Sequence, residues 1–237
     1  MTGFAEAFER ARDVEGWLTE AQARRLWDSA RAVPPGGVVV EIGSFRGRSA
    51  LVMASALSDG AQLVAIDPHA GGDRGPREIE AEAARGEADN RAFLANLRTA
   101  GVAERVRHVR STSSEALGSV PGEIDVLYVD GAHRFAPARD DLVRWGGRVR
   151  DGGVMLVHDS FASIGVTLAT LATITFGARW RYAGRSGSLA EYRREPLSGA
   201  ARLRNALRQL AQLPWFARNV AIKVLIVLRL RGGDWPY

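Results

Sequence analysis

The sequence predicts an α/β chain built on a doubly wound, mostly parallel seven-stranded sheet, with a terminal antiparallel hairpin and added helices at its N- and C-terminal ends. Three observations predict it. Short apolar, largely β-branched runs alternate with helix-length amphipathic segments from residue 38 to about residue 176, the pattern of a parallel sheet covered by helices on both faces. The first run breaks into a glycine turn that opens a helix, as the ligand-binding turn of such sheets does. Residues 179–183 and 188–193, joined by a glycine-bounded turn at 184–187, read as a hairpin rather than a further crossover unit.

Residues 1–35 read as a helical segment. Thr19 and Gln22 stand three apart as a capping box, and Trp17, Leu18, Leu26 and Trp27 supply apolar contacts. Two prolines and two glycines at 34–37 end it. A central unit is expected over 36–195. Its first strand, 38–42, is VVVEI, a run suited to a strand buried on both faces. A helix over 48–57, a strand over 62–66, a helix over about 87–100 and a strand over 105–109 follow. Then come a strand over 124–129, a helix over 137–149, a strand over 153–158 and a helix over about 163–176. The connection 68–87 is glycine-rich, charged and longer than an ordinary βα loop, which marks it as a lid or substrate loop.

Residues 196–237 change character. Leu203, Leu207 and Leu210 fall on one helical face among arginines, Pro214 interrupts, and residues 220–230 are almost wholly apolar around Lys223, the only lysine of the chain. That run is too short to span a bilayer, which takes about 20 residues. Two main readings stand: a helix buried in the molecule or in a homodimer interface, and a basic amphipathic element peripheral to an anionic membrane.

A length of 237 residues suits one such domain with additions. The absence of cysteine excludes disulfides, thiolate zinc sites and cysteine nucleophiles. Charges throughout residues 1–16 leave no apolar core for an export signal, so a cytoplasmic location is expected. The net charge of +5 resides in residues 198–237, where seven basic side chains face Asp234 alone, and the remainder is near neutral. With no basic stripe interleaved with aromatics, no nucleic-acid partner is expected.

The first glycine turn carries the ligand signal. Glu41 ends the strand, Gly43 and Gly47 let the backbone turn and approach a ligand, and Ser49 begins the helix whose amino end points at it; Ser44 and Phe45 lie within the turn. A dinucleotide fingerprint would be G-x-G-x-x-G, and this chain lacks it. A carboxylate at position 41 would repel a pyrophosphate but suits a ligand with a cationic amino-acid group, such as S-adenosylmethionine. Asp67, at the end of the next strand, stands where such folds grip both ribose hydroxyls. His69 follows it directly and reaches either ligand or lid. His108, inside a strand, reads as structural, and residues 111–114 offer hydroxyls for capping a helix or touching a purine.

Two further strand ends carry the remaining polar signal, Asp130-Gly131-Ala132-His133 and His158-Asp159. The carboxyl ends of the strands share one edge of a doubly wound sheet, so these four side chains converge beside the ligand. Two imidazoles and two carboxylates suffice for an acid/base pair or for a divalent-cation site at Asp130, His158 and Asp159.

The stretches EIGSFRGRS at 41–49, AIDPH at 65–69, LYVDGAH at 127–133 with DDLVRW at 140–145, and GGVMLVHDS at 152–160 together resemble class I S-adenosylmethionine-dependent methyltransferases. More narrowly, they resemble the branch of macrocin-type sugar O-methyltransferases and cephalosporin-hydroxylase-like proteins. The resemblance covers about residues 36–193. It implies a Rossmann-like methyltransferase fold, with the methionine part of the cofactor held by Glu41, Gly43 and Gly47, the ribose by Asp67, and adenine near Ser113. In the branch, an aspartate after the fourth strand and an Asp-Asp pair after the fifth bind a divalent cation. Asp130 and Asp159 match, whereas His158 replaces an aspartate and suits Mg²⁺ less well.

The resemblance implies methyl transfer from a sulfonium to a hydroxyl of a sugar or other small-molecule acceptor. Asp130, His133 and His158 are the candidate bases; the imidazoles are preferred without a metal, since they titrate near ~6.5. Two rivals remain: a nicotinamide-dependent oxidoreductase, whose fingerprint glycines are missing, and a catalytically inactive nucleotide-binding module.

Overall fold

In the computed structural model, residues 3–72 and 80–228 are described. Strands β1 (Val38–Ile42), β2 (Gln62–Ile66), β3 (Val106–Val109), β4 (Ile124–Val129) and β5 (Val149–Val157) run parallel. β6 (Trp180–Ser186) and β7 (Leu189–Arg194) form the expected hairpin, with β7 antiparallel to β5. The spatial order is β3-β2-β1-β4-β5-β7-β6. The chain thus grows outward from β1 in one direction and then, from β4, in the other, which leaves a crevice beyond the carboxyl ends of β1 and β4.

Helices α1 (Phe4–Arg12), α2 (Glu20–Arg31), α3 (Arg48–Ala56) and α4 (Ala83–Thr99) close one face of the sheet around Leu26, Trp27, Leu51, Met53, Phe93 and Leu97. Helices α5 (Phe135–Arg144) and α6 (Ile164–Thr170) close the other around Leu142, Trp145, Phe161, Val166, Tyr182 and Tyr192. Two further helices, α7 (Gly199–Leu210) and α8 (Leu213–Val227), extend this second layer, and Trp215 and Phe216 pack against its core. β1 and β4 are buried on both sides, which is why their sequences are largely apolar rather than alternating.

The Thr19 capping box forms, with the Thr19 hydroxyl accepting from Gln22 N and the Gln22 side chain accepting from Thr19 N at 2.8 Å. Leu18, Leu26 and Trp27 are buried, whereas Trp17, expected among them, is 39% exposed and stands on a cleft wall. Several boundaries shift. The helix expected over 137–149 ends at Arg144, where a 3₁₀ turn at Gly146–Arg148 delivers the chain into β5. β5 begins at Val149 rather than 153, because Val149 pairs with Ile124 ahead of an irregularity in the β4–β5 ladder. The helix expected to 176 loosens into a π-helical turn at Leu171–Thr175, and α4 starts at Ala83, before the expected 87. Leu203 and Leu207, read as one helical face, lie in solvent. The middle of the expected lid, residues 73–79, and residues 229–237 at the end of the apolar carboxyl segment lie outside the described residues.

Candidate functional site

A cleft of about 990 Å³ opens along the carboxyl edge of β1, β2, β4 and β5. Its floor is the glycine turn. Gly43 has φ 86°, donates its N–H to Ile66 O at 2.9 Å, and lies so close to the β4 end that a Cβ there would sit 2.2 Å from the Asp130 carbonyl oxygen. Only glycine fits. Phe45 is also left-handed, at φ 44°, and stacks on Trp17 with ring centroids 5.7 Å apart. The N-terminal segment, through Glu15, Trp17 and Leu18, therefore forms part of the cleft wall. Composition gave no signal for that placement beyond a tryptophan beside a charged segment.

Asp67 organises the turn. Its Oδ2 accepts from Ser44 N at 2.9 Å and Phe45 N at 2.8 Å, and its Oδ1 accepts from His69 N at 2.7 Å. The carboxylate thus fixes three backbone amides while remaining on the cleft wall, where Oδ1 keeps lone-pair capacity for a ligand hydroxyl.

Glu41 is not where the sequence suggested. It is fully buried beneath the turn and takes no part in the cleft wall; Ser49 donates its hydroxyl proton to one carboxylate oxygen. Burial pushes its carboxyl up to about 8, against the opposing effect of the Ser49 bond, so the group is largely neutral at pH 7. Gly47, too, lies off the wall, at φ 89° against Phe93. Ser44, Ser49, Gly43, Phe45, Asp67, His69 and Ser113 all line the cleft.

His69 is nonetheless buried among aromatic rings, 5.6 Å from Phe93 and 5.1 Å from His108 between centroids. Burial lowers the pKa of both imidazoles and favours their neutral forms. The chain reaches this packing because Gly86 on α4 touches the loop: a Cβ on it would lie 1.9 Å from His69 O. Beyond β3, Thr112 and Ser111 donate to the Glu115 side chain at 2.7 and 3.2 Å, and the 3₁₀ turn Ala116–Ser119 that follows has no side-chain cap hydrogen bond. Ser113 O accepts from Trp145 Nε1 at 3.1 Å. Asp141, a residue whose role the sequence left open, is buried beside Ser113; burial pushes its carboxyl up to about 6, against the opposing effect of its own hydrogen bond with the Ser113 side chain.

Beside the glycine turn, at the ends of β4 and β5, Asp130, His133, His158 and Asp159 do converge. His133 Nε2 lies 2.7 Å from Asp159 Oδ2, and His158 Nδ1 lies 3.1 Å from Asp130 Oδ1 and 3.7 Å from Asp159 Oδ1. Tyr128, unnoticed as a polar group inside an apolar strand, donates its hydroxyl to Asp130 Oδ2 at 2.8 Å. Asp159 reaches both histidines from a left-handed backbone, φ 55°. Burial opposes the charged forms of all three partners, but the mutual attraction outweighs it. His158 is held well above the ordinary imidazole range, His133 is raised, and Asp159 stays well below the usual carboxylate range.

Among the described residues, the side chains close enough to share one metal ion are Asp130, His133 and Asp159, with one ligand atom each within 4.8 Å of the others. His133 takes the place assigned from sequence to His158, which sits buried behind the two carboxylates. Lys223 of α8 also lines the cleft.

A family profile described as a methyltransferase domain matches residues 40–160. A putative O-methyltransferase from Klebsiella pneumoniae is 16% identical, with a TM-score of 0.60 over 82% of this chain and 92% of its own. An O-methyltransferase from Bacillus cereus in complex with SAH is 14% identical, with a TM-score of 0.57 over 81% and 90%. The SAH-bound Podospora anserina methyltransferase PaMTH1 is 16% identical, with a TM-score of 0.58 over 81% and 87%. At these identities the structures establish a shared fold.

Proposed function

Because the chain belongs to the methyltransferase domain family and is an S-adenosylmethionine-dependent methyltransferase of class I, we propose that it methylates a hydroxyl oxygen of a small-molecule acceptor, a saccharide or similar polyol. The observation that carries the reading is one cleft that holds a glycine turn and, beside it, an acid–imidazole group. O-methyltransferases of the same fold support the choice of oxygen as acceptor.

The donor set suits the cofactor. The turn at Gly43, Ser44 and Phe45, Asp67, Ser113 and Asp130 combine backbone, hydroxyl and carboxylate groups along one wall, with Ile42, Ile66 and Leu117 as apolar surface. Asp67 and Asp130 supply the negative charge for ribose hydroxyls and a cationic amino-acid group. S-adenosylmethionine supplies, when bound, a methyl group activated on a sulfonium. The protein positions the acceptor in line and takes its proton. His133 is the base: its Nε2 bond to Asp159 leaves Nδ1 as the accepting atom, and Asp159 stabilises the imidazolium that forms. His158, held cationic between Asp130 and Asp159, is a fixed counter-charge rather than a base.

A second reading rests on the proximity of Asp130, His133 and Asp159. Their mixed nitrogen and oxygen set would suit a transition-metal dication better than Mg²⁺, and that ion would lower the acceptor's pKa in place of the base.

Calorimetric titration with S-adenosylhomocysteine tests the site. Micromolar binding is expected, weakened roughly 30-fold or more in Asp67→Ala, which loses both the ribose acceptor and the hold on three amides. No binding sinks the proposal. Turnover unchanged by EDTA supports the His133 base, and turnover lost to EDTA and restored by a divalent metal supports the second reading.

A further inference from the structure

The pair α7–α8 is built inside out. α7 buries amides: Asn205 Oδ1 accepts from Tyr182 N at 2.7 Å, Asn205 Nδ2 donates to Trp180 O at 2.9 Å, and Gln209 Oε1 accepts from Thr175 Oγ1 at 2.9 Å. These bonds fix the rotation of the helix about its axis. That rotation turns Leu203 and Leu207 into solvent, at 62% and 55% exposure. Phe176, 54% exposed, follows the π-helical turn beside α7, and its carbonyl accepts from the Nε of Arg202, the residue before Leu203, at 2.6 Å. α8 is tied down by Asn219 Nδ2, which donates to Phe161 O at 3.2 Å, and by buried Ile222; Val224, Leu225 and Leu228 face outward.

The charges are one-sided. Arg202, Arg204, Arg208, Arg218 and Lys223 are the charged residues of 196–228, with no aspartate or glutamate among them. An ordinary surface helix keeps its leucines inward and its polar groups outward, so this arrangement needs an apolar partner flanked by negative charge.

We propose that the α7–α8 face rests on an anionic lipid bilayer, with Phe176, Leu203 and Leu207 in the interfacial region and the arginines on phosphate headgroups. Charge selects this occupant over a second copy of the chain. In a two-fold interface the face would meet itself, arginine against arginine, with no acid on these helices to pair them. The contact lies on the bilayer and does not cross it, since among the described residues no helix is long and apolar enough to span. Lys223 lines the cleft while its neighbours Val224 and Leu225 face outward. Docking therefore brings one cleft wall to the lipid, and, granting the methyltransferase reading, favours an acceptor hydroxyl carried on a lipid-borne molecule.

The test is co-sedimentation of the full chain with phosphatidylcholine vesicles, with and without about a third phosphatidylglycerol. Partitioning is expected to rise roughly tenfold with the anionic lipid. It should fall by a similar factor in Leu203→Ser/Leu207→Ser, which leaves the charge and the buried amides untouched, with thermal unfolding as the check on folding. Arg204→Gln/Arg208→Gln supplies an independent arm, with a several-fold loss expected. Unchanged binding of the double-serine variant would mean adsorption by net charge alone and overturns the proposal. So does the absence of binding, or a dimer in analytical ultracentrifugation that the serine variant abolishes, which would assign the face to a second copy. The vesicle readout does not depend on cofactor or turnover, so it stands apart from the fate of the functional reading.

Discussion

The four histidines of the chain divide into two pairs at one sheet edge, and the pairs are driven in opposite directions. His69 and His108 lie against Phe93 near the β2 and β3 ends, where burial lowers their pKa and favours the neutral ring. His133 and His158 lie beside Asp130 and Asp159 near the β4 and β5 ends, where the same burial is outweighed by the carboxylates, which raise the pKa of both rings. What differs is the company, not the depth. Glu41 is largely neutral beneath the glycine turn, Asp67 presents its carboxylate on the cleft wall there, and further carboxylates stand where a proton must move.

The comparison breaks most visibly at His133. His133→Gln should lower kcat by about 10²–10³-fold with S-adenosylhomocysteine affinity nearly unchanged, while His108→Gln should cost far less. Stopped-assay turnover beside calorimetry reads both. If the two variants lose activity alike, the division into quiet and working pairs is wrong.

The pH profile sharpens it. An imidazolium cannot accept the acceptor's proton, so activity should rise with pH through the His133 pKa, on a limb lying above the ordinary imidazole value because Asp159 favours the charged form. Asp159→Asn removes that support and should move the limb to lower pH at reduced kcat. A limb that stays in place would assign the titration to another group.

The smallest expected effect concerns stability. Glu41 has its carboxyl pushed from 4.5 to about 8 on folding, so between those values the native state binds more protons than the unfolded chain. Stability is then fully present below about 4.5 and is lost as pH rises towards 8, by at most about 1.4 kcal/mol per unit. Melting temperatures of the cofactor-free protein should fall over that window, and Glu41→Gln should flatten the fall, gaining on the order of 1–3 kcal/mol at pH 8. A parallel slope in the variant would remove Glu41 as the cause.

Much of this was legible before any coordinates. VVVEI had to be a strand because five such residues buried on both faces suit little else, and its bounds are those observed. The convergence of Asp67, Asp130, His133, His158 and Asp159 followed from strand order alone. Orientation was not legible. An apolar strand buried on both faces carries no alternation to say which way Glu41 points, and it points beneath the turn. The exchange of His133 for His158 in the group that could share an ion depends on the left-handed backbone at Asp159, which no residue type announces. The strand expected from 153 begins at Val149, so Gly152 lies inside β5, where the ladder slips by an irregularity. The outward leucines of α7 were correctly placed on one face, but the buried amides of Asn205 and Gln209 decide which face is inside.

Lys223 gives the cleft a handle of a different kind. It is the only lysine of the chain, so an acylating reagent selective for lysine side-chain amines finds a single target, and that target stands on the cleft wall. Shielding of that one amine would rank acceptor compounds by mass spectrometry without any need to detect methylation.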